Sequence, residues 1–140
     1  MSKKEKFSVN HQCPCGNSIK YKKCCQPFHN GKLPNTALEL MKSRYCAYVL
    51  SKADYIIKTT HAQNPDFTME TLQWKNDILS FCNGSNFIKL EILESSLNDL
   101  ESFVTFKVSL EINNKDESFT ERSKFLKVEN RWLYHSGIVN

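Results

Sequence analysis

The amino-acid sequence predicts an α+β fold in which helices come first and pack on one face of an antiparallel sheet. Three observations carry that prediction. Apolar residues recur at helical spacing between Ala37 and Cys82, then switch to strict alternation from Ile88 onward. Four of the six cysteines fall between Cys13 and Cys25, ahead of the first periodic segment. Gly31 and Pro34 punctuate the chain between these regions. They divide it into a short segment, 1–33, and a main domain, 34–140.

Each element has a local reason. Thr36 and Glu39 form a T-x-x-E capping box, in which each side chain reaches the other's backbone N–H. Ala37, Met41, Tyr45 and Tyr48 then repeat on one face of a helix that ends near Leu50. Ser51 and Asp54 suggest a second cap, opening a short helix to about Thr60. Thr68 is read as the cap of a third helix, with Leu72, Ile78, Leu79 and Cys82 on its apolar face and Asn83-Gly84 at its end. Ile88, Leu90 and Ile92 alternate with Lys89 and Glu91. Val104, Phe106, Val108, Leu110 and Ile112 make the clearest strand. After a turn at 113–116, strands are expected over 118–128 and 131–137, joined by a tight Glu129-Asn130 turn.

Composition bounds the class. The chain has 140 residues, 40% apolar and 24% charged, as in ordinary globular proteins. No apolar run approaches the roughly 20 residues that span a bilayer. Met1–Asn10 is lysine-rich and lacks the apolar stretch of a secretory leader. The expected location is the cytoplasm, where thiols stay reduced. Residues 1–34 hold seven lysines and one glutamate, so the formal charge of +4 originates in the cysteine-bearing segment.

The cysteines follow the spacing C-x-C-x8-C-C. A disulfide framework would scatter them; a tight cluster points to metal. Zinc takes four soft donors at tetrahedral angles. Cys13 and Cys15 supply two thiolates from one tight turn eased by Gly16, and Cys24 and Cys25 supply the others. The segment buries too little to fold by itself, whereas structural zinc contributes on the order of 10 kcal/mol of apparent folding energy in small peptides. Lys20, Lys22 and Lys23 are expected to offset the charge of four thiolates. His29 is an alternative to Cys25 as fourth ligand.

The run CPCGNSIKYKKCC from Cys13 to Cys25 resembles the SEC-C motif, a zinc module found at the C-terminus of the SecA translocase motor, where it carries contacts to a chaperone and the ribosome. Pro27–Gly31, Ala37–Tyr45, Glu121–Phe125 and Arg131-Trp132 together resemble the YchJ family, also called UPF0225. The resemblance implies an NTF2-like (cystatin-like) main domain, with helices in the concave face of a curved sheet. It also implies a translocation- or ribosome-associated protein partner. The chain departs from the motif at Asn17, Ser18 and Gln26, which concern turn geometry, and from the family pattern at Thr120.

NTF2-like domains often hold a pocket, and its candidates here are Glu121, Ser123, His61 and Trp132. Phe119, Glu121, Ser123 and Phe125 share a strand face, with Arg44 a candidate partner for Glu121. His61 is the general-base candidate by type. Cys46 reads as a small core residue. No phosphate loop, nucleophile elbow or paired-carboxylate constellation is present, which weighs against an enzyme and leaves catalysis in the pocket as an alternative. Three functions are compatible with these residues. They are an interaction module, a ligand-binding or small catalytic pocket, and RNA binding through the basic segment, with Tyr21 stacking on a base.

Overall fold

The computed structural model describes residues 7–140. Residues 1–6, on which the reading of Met1–Asn10 partly rests, lie outside that range. The helices are α1 (Gln26–His29), α2 (Ala37–Val49), α3 (Ala53–Lys58) and α4 (Thr71–Gly84). The strands are β1 (Ser85–Ser95), β2 (Glu101–Ile112), β3 (Lys115–Asp116), β4 (Phe119–Val128) and β5 (Arg131–Val139). The sheet is antiparallel, in the order β1-β2-β4-β5, with the short β3 paired to β2. No helix among the described residues is long and apolar enough to cross a membrane.

Thr36 caps α2, its hydroxyl accepting from the Glu39 N–H at 3.1 Å. Glu39 reaches one residue further back than a capping box requires and accepts from the Asn35 N–H at 2.8 Å. Ser51 does not open α3. It takes a left-handed conformation (φ 59°) and closes α2 instead. Lys52 N–H reaches the Ala47 carbonyl and Ser51 N–H the Tyr48 carbonyl, which is the Schellman pattern. Thr68 likewise lies ahead of its helix, accepting from the Glu70 N–H in a local turn. On α4 the buried stripe is Trp74, Ile78 and Cys82, a spacing of four, while Leu72 is 73% exposed.

Among the described residues the strand pairing is interrupted at three places, two in β1–β2 and one in β4–β5. A bulge between Phe87 and Lys89 shifts the β1–β2 register. Phe87, Leu90 and Ile92 therefore pack on the core, and Ile88 is left 57% exposed. The β2 alternation is as predicted, with Val104, Phe106, Val108 and Leu110 all buried. Asn113-Asn114 and Glu129-Asn130 each have two positive φ values, the geometry that twists a two-residue hairpin correctly. The first of these turns is tighter than expected, so Lys115 and Asp116 already pair with β2.

The core lies between the helices and one sheet face. It centres on Leu40 and Met41 of α2, Ile56 of α3, Val104 and Leu110 of β2, and Phe125 of β4. A second cluster joins Cys13, Cys15, Tyr21 and Cys25 to Cys46 of α2. Through it the N-terminal segment packs directly on the main helix.

Candidate metal centre and sheet cavity

Gly16 holds a φ of 98°, which L side chains rarely adopt, and turns the chain immediately after Cys15. The Cys13 N–H then bonds the Ile19 carbonyl at 2.9 Å, closing the loop. A 3-10 turn over Tyr21–Lys23 delivers Cys24 and Cys25. The four sulfurs of Cys13, Cys15, Cys24 and Cys25 all lie within 4.8 Å of one another. In a tetrahedral thiolate site with metal–sulfur bonds of about 2.3 Å, sulfurs stand about 3.8 Å apart. Cys15 and Cys24 are 3.6 Å apart. The donor set fits a metal ion, and four protein ligands leave no position for water or substrate.

The surrounding residues support the sulfurs. Hydrogen bonds from the Cys15, Cys25 and Cys46 thiols hold Cys13 far below the ordinary thiol value. The same bond to Cys13 is the main cause that pushes Cys15 and Cys25 up. One sulfur thus carries the thiolate while its neighbours donate to it, a packed set of soft donors that a cation can take in place of the protons. Asn17, which stands where the motif departs, donates to Cys24 Sγ at 3.3 Å. Lys42 of α2 holds Asn17 in turn, at 3.1 Å. Among the described residues no hydrogen bond joins Lys20, Lys22 or Lys23 to a sulfur. All three are exposed, and the cation linked to the site through Asn17 is Lys42.

His29 is not at the cluster's centre. Its Nε2–H donates to the Ser43 carbonyl at 2.8 Å, so Nδ1 accepts from the Tyr21 hydroxyl at 2.6 Å. Both ring nitrogens are occupied. Burial lowers its pKa, consistent with a neutral ring. The expectation that Tyr21 stacks on a base also fails, because Tyr21 is 3% exposed. Cys46 does more than fill the core: its Sγ lies 3.8 Å from that of Cys13. Nothing in the local sequence marked this fifth thiol, because 33 residues separate the pair.

A second feature lies between sheet and helices: a cavity of about 520 Å³, walled by aromatic rings that include Tyr45, Tyr48, Trp74, Phe87 and Phe106. Phe119, Glu121, Ser123 and Phe125 line it from β4. Glu121 Oε2 accepts from the Tyr134 hydroxyl at 2.9 Å and from the Ser123 hydroxyl. Burial raises the Tyr134 pKa, and the Glu121 charge adds to it, so the phenol stays a donor.

Arg44 does not pair with Glu121. Its Nη1 donates to the Ile56 carbonyl at 3.0 Å and to the Thr59 and Thr60 hydroxyls at 2.7 and 3.2 Å. Its guanidinium lies 4.6 Å from the centre of the Tyr134 ring. The phenol therefore stands between the cation and the carboxylate.

His61 and Trp132 are not among the residues lining this cavity. The chain after α3 runs along β5, with His61 N–H on the Tyr134 carbonyl at 2.8 Å. That pairing carries the imidazole away, to lie 5.2 Å from the ring of His135 and accept from the Gln63 N–H. Trp132 is buried in the core and donates to the Asn35 carbonyl at 3.2 Å. It borders a smaller hollow elsewhere.

Sequence reasoning missed Gly137. It pairs with Ser123 across β4 and β5, and a Cβ there would overlap the Glu121 carboxylate and lie 2.7 Å from Tyr134 Oη. A glycine isolated in a strand is the available signal for such close approach. Gly137→Ala is expected to displace the Glu121–Tyr134 pair and cost about 1–3 kcal/mol, as overpacking does. Thermal unfolding against wild type checks this; an unchanged midpoint would contradict the tight packing.

A family model described as the middle NTF2-like domain of YchJ matches residues 36–137. A UPF0225 protein of Actinobacillus succinogenes is 36% identical over 132 residues, covering 91% of this chain and 81% of the relative. A solved SEC-C motif containing protein from Rhodopseudomonas palustris superposes with a TM-score of 0.77 at 29% identity, over 91% of this chain and 98% of that one. Another, from Psychrobacter arcticus, gives 0.74 at 26% identity, over 91% and 81%.

Proposed function

The chain belongs to the YchJ family, also called UPF0225, and on that premise we propose that it is a cytoplasmic zinc-dependent interaction module whose N-terminal knuckle docks on a protein partner. The observation that carries this reading is the closed set of four thiols, held on α2 by Asn17–Lys42 and His29–Ser43 contacts. A closed site performs no chemistry of its own. Its role is to fix a surface, and the surface it fixes presents Ile19, Lys20, Lys22 and Lys23 to solvent. An apolar residue among lysines suits an acidic protein patch, and the resemblance to SEC-C modules makes a translocation- or ribosome-associated partner the class to seek.

The test is an affinity capture with the full chain, comparing wild type with a Cys24→Ser, Cys25→Ser variant and with Lys20→Glu, Lys22→Glu, Lys23→Glu. Partners retained by wild type and lost by both variants support the reading. Partners indifferent to both would sink it. Nucleic acid recovered with wild type, released steeply by added salt, would instead indicate phosphate contacts by the same lysines.

A further inference from the structure

The cavity has a chemical character that the knuckle does not explain. Its walls are largely aromatic, its volume of about 520 Å³ falls in the range of small-molecule sites, and a few charged groups line it among the rings. Four carboxylates line it, Asp66, Glu70, Asp77 and Glu121, against one guanidinium, Arg44. Among the described residues none of these four is in an ion pair; the three ion pairs involve other residues.

Arg44 is already committed. Three oxygens of the α3 end take its Nη1, and the Tyr134 ring takes its face. Glu121 is half committed: Oε2 accepts from both Ser123 and Tyr134, while Oε1 has no hydrogen bond among the described residues. A ligand entering here meets a carboxylate oxygen with a spare acceptor, ring faces with negative quadrupoles, and acidic side chains around it. All three favour positive charge.

We propose that this cavity binds an organic cation, an ammonium group carried on a small apolar or aromatic body. The ammonium meets Glu121 Oε1, and the apolar body lies among the rings that line the cavity, Tyr48, Trp74, Phe87 and Phe106. The exposed Glu70 and Asp77 attract the cation without touching it closely. This inference goes beyond the interaction reading and does not depend on it.

Three probes with the same phenyl body separate the possibilities: 2-phenylethylammonium, neutral 2-phenylethanol and the slightly larger, anionic 3-phenylpropionate. Each is titrated into the isotope-labelled, metal-loaded full chain, following the Trp74 indole and Glu121 amide resonances. The ammonium is expected to shift both and to bind about tenfold or more tighter than the other two, the worth of one charge-assisted hydrogen bond. Glu121→Gln should remove about that factor. Glu70→Gln with Asp77→Asn, both on exposed positions, should weaken the cation by a smaller, salt-dependent factor. The proposal is overturned if the carboxylate binds as tightly as the ammonium, if no probe shifts these resonances at millimolar concentration, or if neither variant changes the affinity.

Discussion

Replacing Cys15 with serine is expected to abolish metal retention and unfold the N-terminal knuckle. Serine offers a hard, protonated hydroxyl where the site needs a soft thiolate. The segment has little else to hold it: among its described residues the buried ones are three cysteines and Tyr21. Structural zinc supplies on the order of 10 kcal/mol or more of apparent binding energy in small modules, which is folding energy for a segment of this kind. Metal analysis should fall from about one ion per chain toward none, and the amide dispersion of residues 8–30 should collapse. The main domain should survive with a lower midpoint. It loses the Phe28 packing, the His29–Ser43 bond and the Cys13–Cys46 contact, together worth about 1–2 kcal/mol, or roughly 5 °C in a chain of this size. Cys82→Ala, in the other cluster, should keep its metal. Full metal content in Cys15→Ser would remove the site as described.

Replacing Arg44 with leucine is expected to be the most damaging single change in the main domain that leaves the knuckle intact. Arg44 is buried, and one of its nitrogens ties α2 to the C-terminal end of α3 through Ile56, Thr59 and Thr60. Its charge complements the carbonyl end of that helix, and its plane stacks on Tyr134 of β5. Removing a buried charge recovers some desolvation energy. The loss is larger, because three oxygens lose a charged donor and the stack goes with it. A cost of about 3 kcal/mol, or a midpoint lowered on the order of 10 °C, follows. Arg44→Lys should recover less than half, since an ammonium neither stacks as a plane nor reaches all three acceptors. Urea unfolding of both variants measures this, and a Leu variant within 1 kcal/mol of wild type would show that the contacts carry no net energy.

The helices and strands were legible because their causes are local. Thr36 caps α2 in sequence and in space, and the Val104–Leu110 alternation buries one face of β2. The misreadings share another cause. Ser51 looked like a cap by type, but whether a serine opens one helix or closes another depends on backbone conformation across the junction. Ile88 and Leu72 matched apolar patterns, yet a bulge turned one outward and the docking face of α4 excluded the other. The cavity was half legible. Glu121 and Ser123 lie two residues apart on one strand, so their shared face follows from the pleat. Tyr134, Gly137 and Arg44 join them only through strand pairing and helix packing. His61 and Trp132 were candidates by residue type alone, and the path of the chain placed both elsewhere.

By itself the sequence determined the thiol cluster and the change from helical to strand periodicity. Spacing within 13 residues decides which sulfurs meet, and hydrophobic period decides the secondary structure. Only the tertiary structure decided that Cys46 reaches Cys13, that His29 spends both nitrogens on Tyr21 and Ser43, and that an acid-lined aromatic cavity opens between α4 and the sheet. These depend on contacts between residues distant in the chain, whose geometry is fixed by how α2 packs at once against the knuckle, α3 and the sheet.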